Sequence, residues 1–453
     1  MEKRPNIVCA GTLDTKGAEI LYLAEQVKMR GGNPIIMDVS LGKECGGADI
    51  SLREILSMTG NVPEDLFVLA RTEAAAIVSR AAEARLLLLF RQGQVDGIIG
   101  WAGGIGTTIV THMMRALPIG VPKVMLSAGT SGNIGRWLGA SDIYFSNPVS
   151  EMGINRITRQ TVENGVCAVV AMARERMESE VKEQPPVAAV TLYKNMEAMA
   201  VRCREHMKGH GMDTLYFYQT GAGAVMEELI RAGEICAVFD LTPGELVNNF
   251  FQSETRNPDG WTGIRFTAAF DAGIPVVAAP GGLCETPFGK WELLPETIRR
   301  EFADGKRKSF QDTGLPFFET DGRIILPTTL QENRKFAQMA AARLNRAKGP
   351  VLFLIPMRGW SAYDWGGPLN REGAVWLPDP EHPEWSARAA QMREIVEKQL
   401  CPENPKLETV ACDLHILDEK FSELACFAMD RMLDGTWEKG MLREFPHVLK
   451  KFD

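Results

Sequence analysis

The sequence predicts an α/β protein with two Rossmann-like domains, each a mainly parallel sheet flanked by helices. Three observations carry this. Short apolar runs end repeatedly in polar, glycine-bearing turns that lead into amphipathic stretches, the strand–turn–helix alternation of a parallel sheet. The alternation breaks at Glu183-Gln184-Pro185-Pro186 and restarts at Val187, which places domains at 1–183 and 187–453. With 453 residues, 45% of them hydrophobic, the chain can bury two such cores.

Residues 6–11 read as a buried strand. Residues 15–30 read as a helix, with Ile20, Leu21, Leu23, Ala24 and Val27 at helical spacing. Between them Gly11-Thr12-Leu13-Asp14-Thr15-Lys16-Gly17 sets hydroxyls, a carboxylate and a lysine on one turn. Lys16 suits phosphate charge, and Asp14 suits a ribose or Mg²⁺. The plainer alternatives are a helix cap for Asp14 or Thr15 and a solvated first-turn lysine for Lys16. Residues 33–40 form the next strand, with Asp38 near its end, followed by an exposed glycine-bearing loop at 41–47.

An alanine-rich helix at 72–91 leads to VDGIIGWAGGIGTTIVT at 95–111. Here a strand ends in Gly103-Gly104-Ile105-Gly106-Thr107-Thr108 and a helix follows directly. Glycines admit close backbone approach, and the free N–H groups and positive dipole of the helix start face an anion. Thr107 and Thr108 add hydroxyls for phosphate oxygens or a metal. The turn is neither a Walker A loop nor GxGxxG, which argues against a nicotinamide-dependent dehydrogenase. A glycine turn that only packs a helix on a sheet is the alternative. The strand at 121–128 ends in Ser127 and leads into Gly129-Thr130-Ser131-Gly132-Asn133, a third such turn. Ligands of open parallel sheets collect outside the carboxyl ends of strands, so the three turns support one another. A short strand at 141–147 and a long helix at 154–182 close this half.

The second half repeats the plan. Strands are expected at 187–193, 214–219, 235–241, 275–279, 350–355 and 407–414, with helices at 196–208, 225–232, 330–346, 385–400 and 419–432. Polar turns follow the strands at Thr220-Gly221-Ala222-Gly223, Thr242-Pro243-Gly244-Glu245, Pro280-Gly281-Gly282-Leu283-Cys284-Glu285 and 356–364, PMRGWSAYD. Periodicity weakens over 288–329, which reads as an irregular lid or excursion.

GTLDTKG, GGIGTT, SAGTSG, TGAG, PGG and PMRGWSAYD occur in that order along nearly the whole chain. In this the sequence resembles the formally uncharacterised family named after the nucleotide-binding N-terminal half of a plant antiviral resistance protein. The resemblance implies two Rossmann-like domains, ATP binding by the first, and self-association into a homo-oligomer; it implies no settled reaction. It places the nucleotide loops on Gly11–Lys16, Gly103–Thr108 and Ser127–Gly132, the three turns already reached from pattern. Two departures stand out. The family's GGSGGT reads with Ile105 and Thr107 here, and the branched Thr107 is expected to limit backbone approach. The family's FHATG reads Phe217-Tyr218-Gln219-Thr220-Gly221, without the histidine.

Glu245, Glu285, Arg358, Asp364 and His415, with Ser361 nearby, form the candidate chemical set of the second domain. A guanidinium suits an anionic substrate, and paired carboxylates exchange protons when their pKa values are pushed apart. The ordinary alternatives are a first-turn glutamate, a turn-forming aspartate and a satisfied interior histidine. Cys284 is a weaker candidate nucleophile, because no base is evident beside it in sequence.

The net charge of −8 argues against nucleic-acid or membrane-surface partners. Nine cysteines without a CxxC pair read as free thiols. The N-terminal apolar run is too short for a signal segment and no stretch approaches a membrane span, so a cytoplasmic protein is expected. Three functions stay open. The first is an ATP-binding, Mg²⁺-dependent enzyme acting on a small anionic metabolite in an inter-domain crevice, by phosphoryl transfer or ATP-assisted chemistry. The second is a nucleotide-responsive binding protein without turnover. The third is a lyase or hydrolase using the second-domain crevice with a vestigial nucleotide site. Convergence of Glu285, Arg358, Asp364 and His415 would favour an enzyme.

Overall fold

The computed structural model describes residues 3–131, 134–179, 184–193, 195–219, 221–252, 265–288, 291–307, 324–366, 375–401 and 403–450. The chain divides into two compact units, Met1–Glu183 and Gln184–Asp453.

In the first unit, β1 (Asn6–Gly11), β2 (Asn33–Asp38), β3 (Gly97–Ala102), β4 (Lys123–Ser127) and β5 (Tyr144–Ser146) form one sheet in the order β2-β1-β3-β4-β5. Every pairing is parallel. Its strands read as unbroken apolar runs because helices cover both faces. Ile7, Cys9, Ile99 and Trp101 point to one face, against α1 (Leu13–Met29) and α6 (Arg156–Glu178). Val8, Ala10, Ile98 and Met125 point to the other, against α2 (Leu52–Ser57), α3 (Arg71–Arg91) and α4 (Gly104–Arg115). The short α5 (Gly135–Leu138) lies between β4 and β5 in the chain.

The second unit uses the same winding with one more strand. β6 (Val187–Leu192), β7 (Asp213–Tyr218), β8 (Ala237–Asp240), β9 (Val276–Ala278), β12 (Val351–Pro356) and β13 (Leu407–Cys412) pair in the order β13-β12-β9-β8-β6-β7, all parallel. One face carries α8 (Gly223–Arg231), α9 (Glu245–Phe250), α10 (Ala268–Ala272), α12 (Leu330–Leu344) and α13 (Ala387–Gln399). The other carries α7 (Glu197–Gly209) and α14 (Glu419–Leu433). In both sheets the first strand lies between the second and third, so the order of winding reverses there. That reversal, at β1 and β3 in one sheet and at β6 and β8 in the other, marks the carboxyl edge where ligands of such sheets bind.

The described parts of 288–329 are more regular than expected. β10 (Glu285–Phe288) pairs antiparallel with β11 (Ile324–Pro327), and α11 (Glu296–Ala303) lies between them in the chain. The expected excursion also includes residues 289–290 and 308–323, which lie outside the described set. Among the described residues no helix is long and apolar enough to cross a membrane.

Candidate functional site

The three glycine turns of the first unit fall at the carboxyl ends of β1, β3 and β4, neighbouring strands of one parallel sheet, and side-chain contacts join them. A Cβ on Gly106 would stand 3.6 Å from Thr12 Cγ2, which brings the first turn against the second. Thr107 Oγ1 and Ser127 Oγ are 2.8 Å apart, which ties the second turn to the third.

The glycines divide by role. A Cβ on Gly11 would press into Ile20 at 2.4 Å, and one on Gly106 into Ala102 Cβ at 2.7 Å, so both let a helix lie close on the sheet. Among the described residues Gly104 has nothing within 4 Å, and Gly103 meets the Glu151 carboxylate, at 3.7 Å or beyond. Packing therefore demands no glycine at these two positions, and they leave the start of α4 open. That helix has no side-chain cap, so its first N–H groups and its dipole face outward.

The hydroxyls behave differently from expectation. Thr107 is fully buried and points inward to Ser127 and the Ala102 carbonyl, so its branch does not stand in front of the loop. Thr108 Oγ1 donates to Gly104 O at 3.2 Å and accepts from Trp137 Nε1 at 3.1 Å. Thr12 and Thr15 bond each other at 2.7 Å. What these turns offer a ligand is backbone and cations more than hydroxyls. Thr130 and Ser131 belong to a 3-10 turn, Ala128–Ser131, after β4, while Gly132 and Asn133 lie outside the described residues.

Lys16 leaves the helical conformation (φ −132°, ψ 27°), and its ammonium donates to the Glu151 carbonyl. Burial pulls its pKa below the usual lysine value, against the pull of Glu19 and Glu151. Asp14 is exposed, and its backbone N–H donates to Ser40 Oγ at 3.0 Å. Among the described residues no three His, Cys, Asp or Glu side chains gather to hold a metal, so Asp14 stands as a single candidate ligand. Asp38, at the end of β2, is fully buried. Its Oδ1 accepts from Leu13 N at 3.2 Å and from the N–H and hydroxyl of Ser40, fixing the first turn from behind. Its other oxygen has no partner among the described residues, and burial raises its pKa.

In the second unit the candidate set partly converges. Glu285 is fully buried; Ser361 Oγ donates to its Oε2 at 3.1 Å, and Oε1 has no hydrogen-bond partner among the described residues. Burial, opposed by Tyr193 and Ser361, lifts its pKa to about 8. Asp364 Oδ2 accepts from Trp360 N at 3.1 Å and from Ser386 Oγ at 3.4 Å, while Oδ1 lies 3.7 Å from Arg388. Burial, relieved by the Arg388 charge, brings its pKa to about 6.

His415 Nδ1 accepts the Leu417 N–H at 3.1 Å, so Nε2 carries the proton and donates to the Asp364 carbonyl, also at 3.1 Å. Desolvation lowers its pKa to about 4. Neutral and doubly bonded, it braces the turn over Gly359, where φ is +127° and a Cβ would strike Asp364 O. The Cys284 thiol lies 3.4 Å from Ser361 Oγ, and burial beside Glu285 pushes its pKa well up, so it stays protonated and is a poor nucleophile.

Two members stand apart. Arg358 is half-exposed and pairs with both oxygens of Asp413, at 2.8 and 2.9 Å. Glu245 is buried in a structural cluster: its Oε1 accepts from Gly223 N at 2.9 Å and its Oε2 from Arg265 at 3.1 Å, while Arg265 also binds Asp240. The cation that does reach Asp364 is Arg388, 24 residues away on α13, and no sequence pattern marked it. Tyr193 follows β6 and was legible only as the end of a strand. Thr220 lies outside the described residues.

Residues 5–178 match the N-terminal domain of the uncharacterised protein family UPF0261, and residues 185–433 match its C-terminal domain. A UPF0261 protein of Clostridium tetani is 30% identical over 437 residues, covering 96% of this chain and 99% of its own. A second, from Rhizobium meliloti, is 30% identical over 425 residues, covering 93% and 98%. The tomato ToMV resistance protein Tm-1(GCR237) is 28% identical over 442 residues, covering 92% of this chain and 54% of its own length. A solved MurG of Acinetobacter baumannii aligns at 12% identity and a TM-score of 0.18 over 67% of this chain and 83% of its own, too little to carry an argument. With both family domains matched in order and relatives aligned almost end to end, the chain belongs to the UPF0261 family.

Proposed function

We propose that this chain is an ATP-binding enzyme that holds nucleotide on its first unit and acts on a small metabolite at the carboxyl edge of its second sheet. The observation behind the nucleotide half is the meeting of three turns on one sheet edge, before a helix without a side-chain cap whose Gly104 has open space around it among the described residues. Thr12, Gly103 and Gly104 would lie along the phosphates, with Lys16 neutralising charge. The donor set suits an anion: Glu151 already sets a carboxylate beside Gly103. Asp14 would hold Mg²⁺, which arrives with the phosphates and neutralises their charge; one carboxylate suffices for that.

The second-unit cluster supports catalysis over passive binding. With pKa values near 8 and 6, Glu285 holds a proton at neutral pH while Asp364 is largely ionised, a separation suited to proton transfer during phosphoryl transfer or ATP-assisted chemistry. Arg358 would have to leave Asp413 to bind an anion, so anionic character is not part of the metabolite proposed here. Self-association belongs to the reading and is measured by sedimentation.

The test is thermal unfolding of the full chain with ATP, ADP, GTP or NAD, each with and without Mg²⁺, on wild type, Lys16→Ala and Asp14→Asn. Ligand at a hundred times its Kd adds about 2.7 kcal/mol. A shift specific to adenine nucleotides that Lys16→Ala weakens, and whose Mg²⁺ component Asp14→Asn removes, is expected. No shift at millimolar nucleotide overturns the proposal. Release of ADP separates turnover from a nucleotide-responsive binder.

A further inference from the structure

Buried polar atoms are nearly always paired, and a group of unpaired ones at a crevice marks where something else supplies the partners. Four buried atoms without a hydrogen-bond partner among the described residues lie at the carboxyl edge of the second sheet. They are Gln219 Oε1 after β7, Thr242 Oγ1 after β8, Glu285 Oε1 on β10, and Asp364 Oδ1 in the turn after β12. All four residues are at most 1% exposed.

Contacts among these turns link their residues. Gln219 Nε2 donates to Gly282 O at 3.4 Å, and its amide lies against Gly244 and Gly282, where only glycine leaves it room, with the oxygen making no hydrogen bond to the described residues. Gly281 lies against Thr242, whose Cγ2 would be 3.0 Å from an added Cβ. Gly282 N donates to Trp360 O at 3.1 Å, joining this turn to the one that carries Ser361 and Asp364. The turn then runs into Glu285. The turns after β7 and β8 flank β6, where the sheet's order reverses.

The chemistry of the four atoms names the ligand class. Gln219 Oε1 and Asp364 Oδ1 only accept, the Thr242 hydroxyl does both, and the Glu285 carboxyl can donate or accept. The Asp364 charge is balanced by Arg388 3.7 Å away, whose other bonds go to the Thr328 and Val375 carbonyls. An anion would meet acceptors and a carboxylate, with no spare cation among the described residues. An ammonium compound would gain no unbalanced anion.

We propose that the second unit binds a small uncharged polyhydroxy compound at this edge, its hydroxyls donating to Gln219 and Asp364 and exchanging hydrogen bonds with Thr242 and Glu285. The site rests only on the metabolite half of the function proposed above and does not require nucleotide.

The experiment uses the full chain and calorimetric titration with D-ribose, D-glucose, myo-inositol and D-sorbitol, against succinate, citrate and putrescine as charged probes. Thermal shift with ATP is run in parallel on each variant. At least one polyol is expected to bind while the charged probes do not. Thr242→Val and Glu285→Leu should each weaken it at least about tenfold, the loss of one buried hydrogen bond, with any ATP response unchanged. Glu285→Leu is close in volume and removes both polar oxygens, so it reports on the site even if Thr242→Val unfolds. Binding of no polyol, preference for a charged probe, or wild-type affinity in both variants overturns the proposal. So does a crystal structure at saturating polyol with only ordered water on the four atoms. Lost ATP response with polyol binding intact would overturn only the nucleotide reading.

Discussion

A carboxyl whose burial outweighs its partners keeps its proton, and an imidazole buried between two neutral backbone groups stays uncharged; Glu285 and His415 are one of each. Folding raises the Glu285 pKa to about 8, from an unfolded value near 4.3. Between these values the folded state binds more protons than the unfolded one, so stability falls as pH rises from about 4.3 to 8 and then levels. His415 has the opposite sign. Its pKa falls to about 4 in the fold, so stability is lost as pH drops from about 6.5 toward 4. Urea unfolding of wild type and Glu285→Gln at intervals from pH 5 to 9 should show the variant gaining on wild type up to about pH 8. A constant difference across that range would mean that Glu285 is ionised in the fold. Glu245 makes a second prediction at this scale. Glu245→Ala removes an acceptor from the buried Arg265 and Gly223 N–H, and should cost about 3 kcal/mol of stability. Loss of activity with unchanged stability would instead make it a catalytic group.

The start of α4 is where one element decides ligand access. Its uncapped N–H groups would attract a phosphate, yet the carboxylate of Glu151 already lies beside Gly103, and Lys16 is held by the carbonyl of the same residue. Two anions compete for one helix start. Glu151→Ala should therefore tighten ATP binding by about two- to fivefold, the worth of one charge at a helix terminus. Weaker binding would mean that Glu151 positions the site. This competition was not legible in the sequence, because residue 151 is 48 positions beyond Gly103 and sits in no motif. The turns themselves were legible: glycine after an apolar run is a local signal, and their alignment follows from parallel pairing. Arg388 and Arg265 were not, since their carboxylate partners are fixed by which helix packs where. Arg358 misled for the complementary reason, as Asp413 lies opposite it only once β12 pairs with β13.

At the scale of the whole molecule, the linker was readable because composition changes there, and the cores respect it. The two buried clusters of the first unit draw only on residues before the linker, and those of the second unit only on residues after it. Each unit thus encloses its own doubly covered sheet, the condition for folding alone. Calorimetry of the full chain should show two unfolding transitions, with ATP raising one and leaving the other in place. A fragment of residues 1–183 should unfold cooperatively and keep the whole ATP shift, while 184–453 should show none. Both fragments bury enough apolar surface for this, with the central strands β3 and β12 fully covered on each face. If the full chain instead melts in one transition that ATP moves as a unit, the free energy of nucleotide binding reaches the second sheet, and the proton-holding cluster at Glu285 would be under nucleotide control.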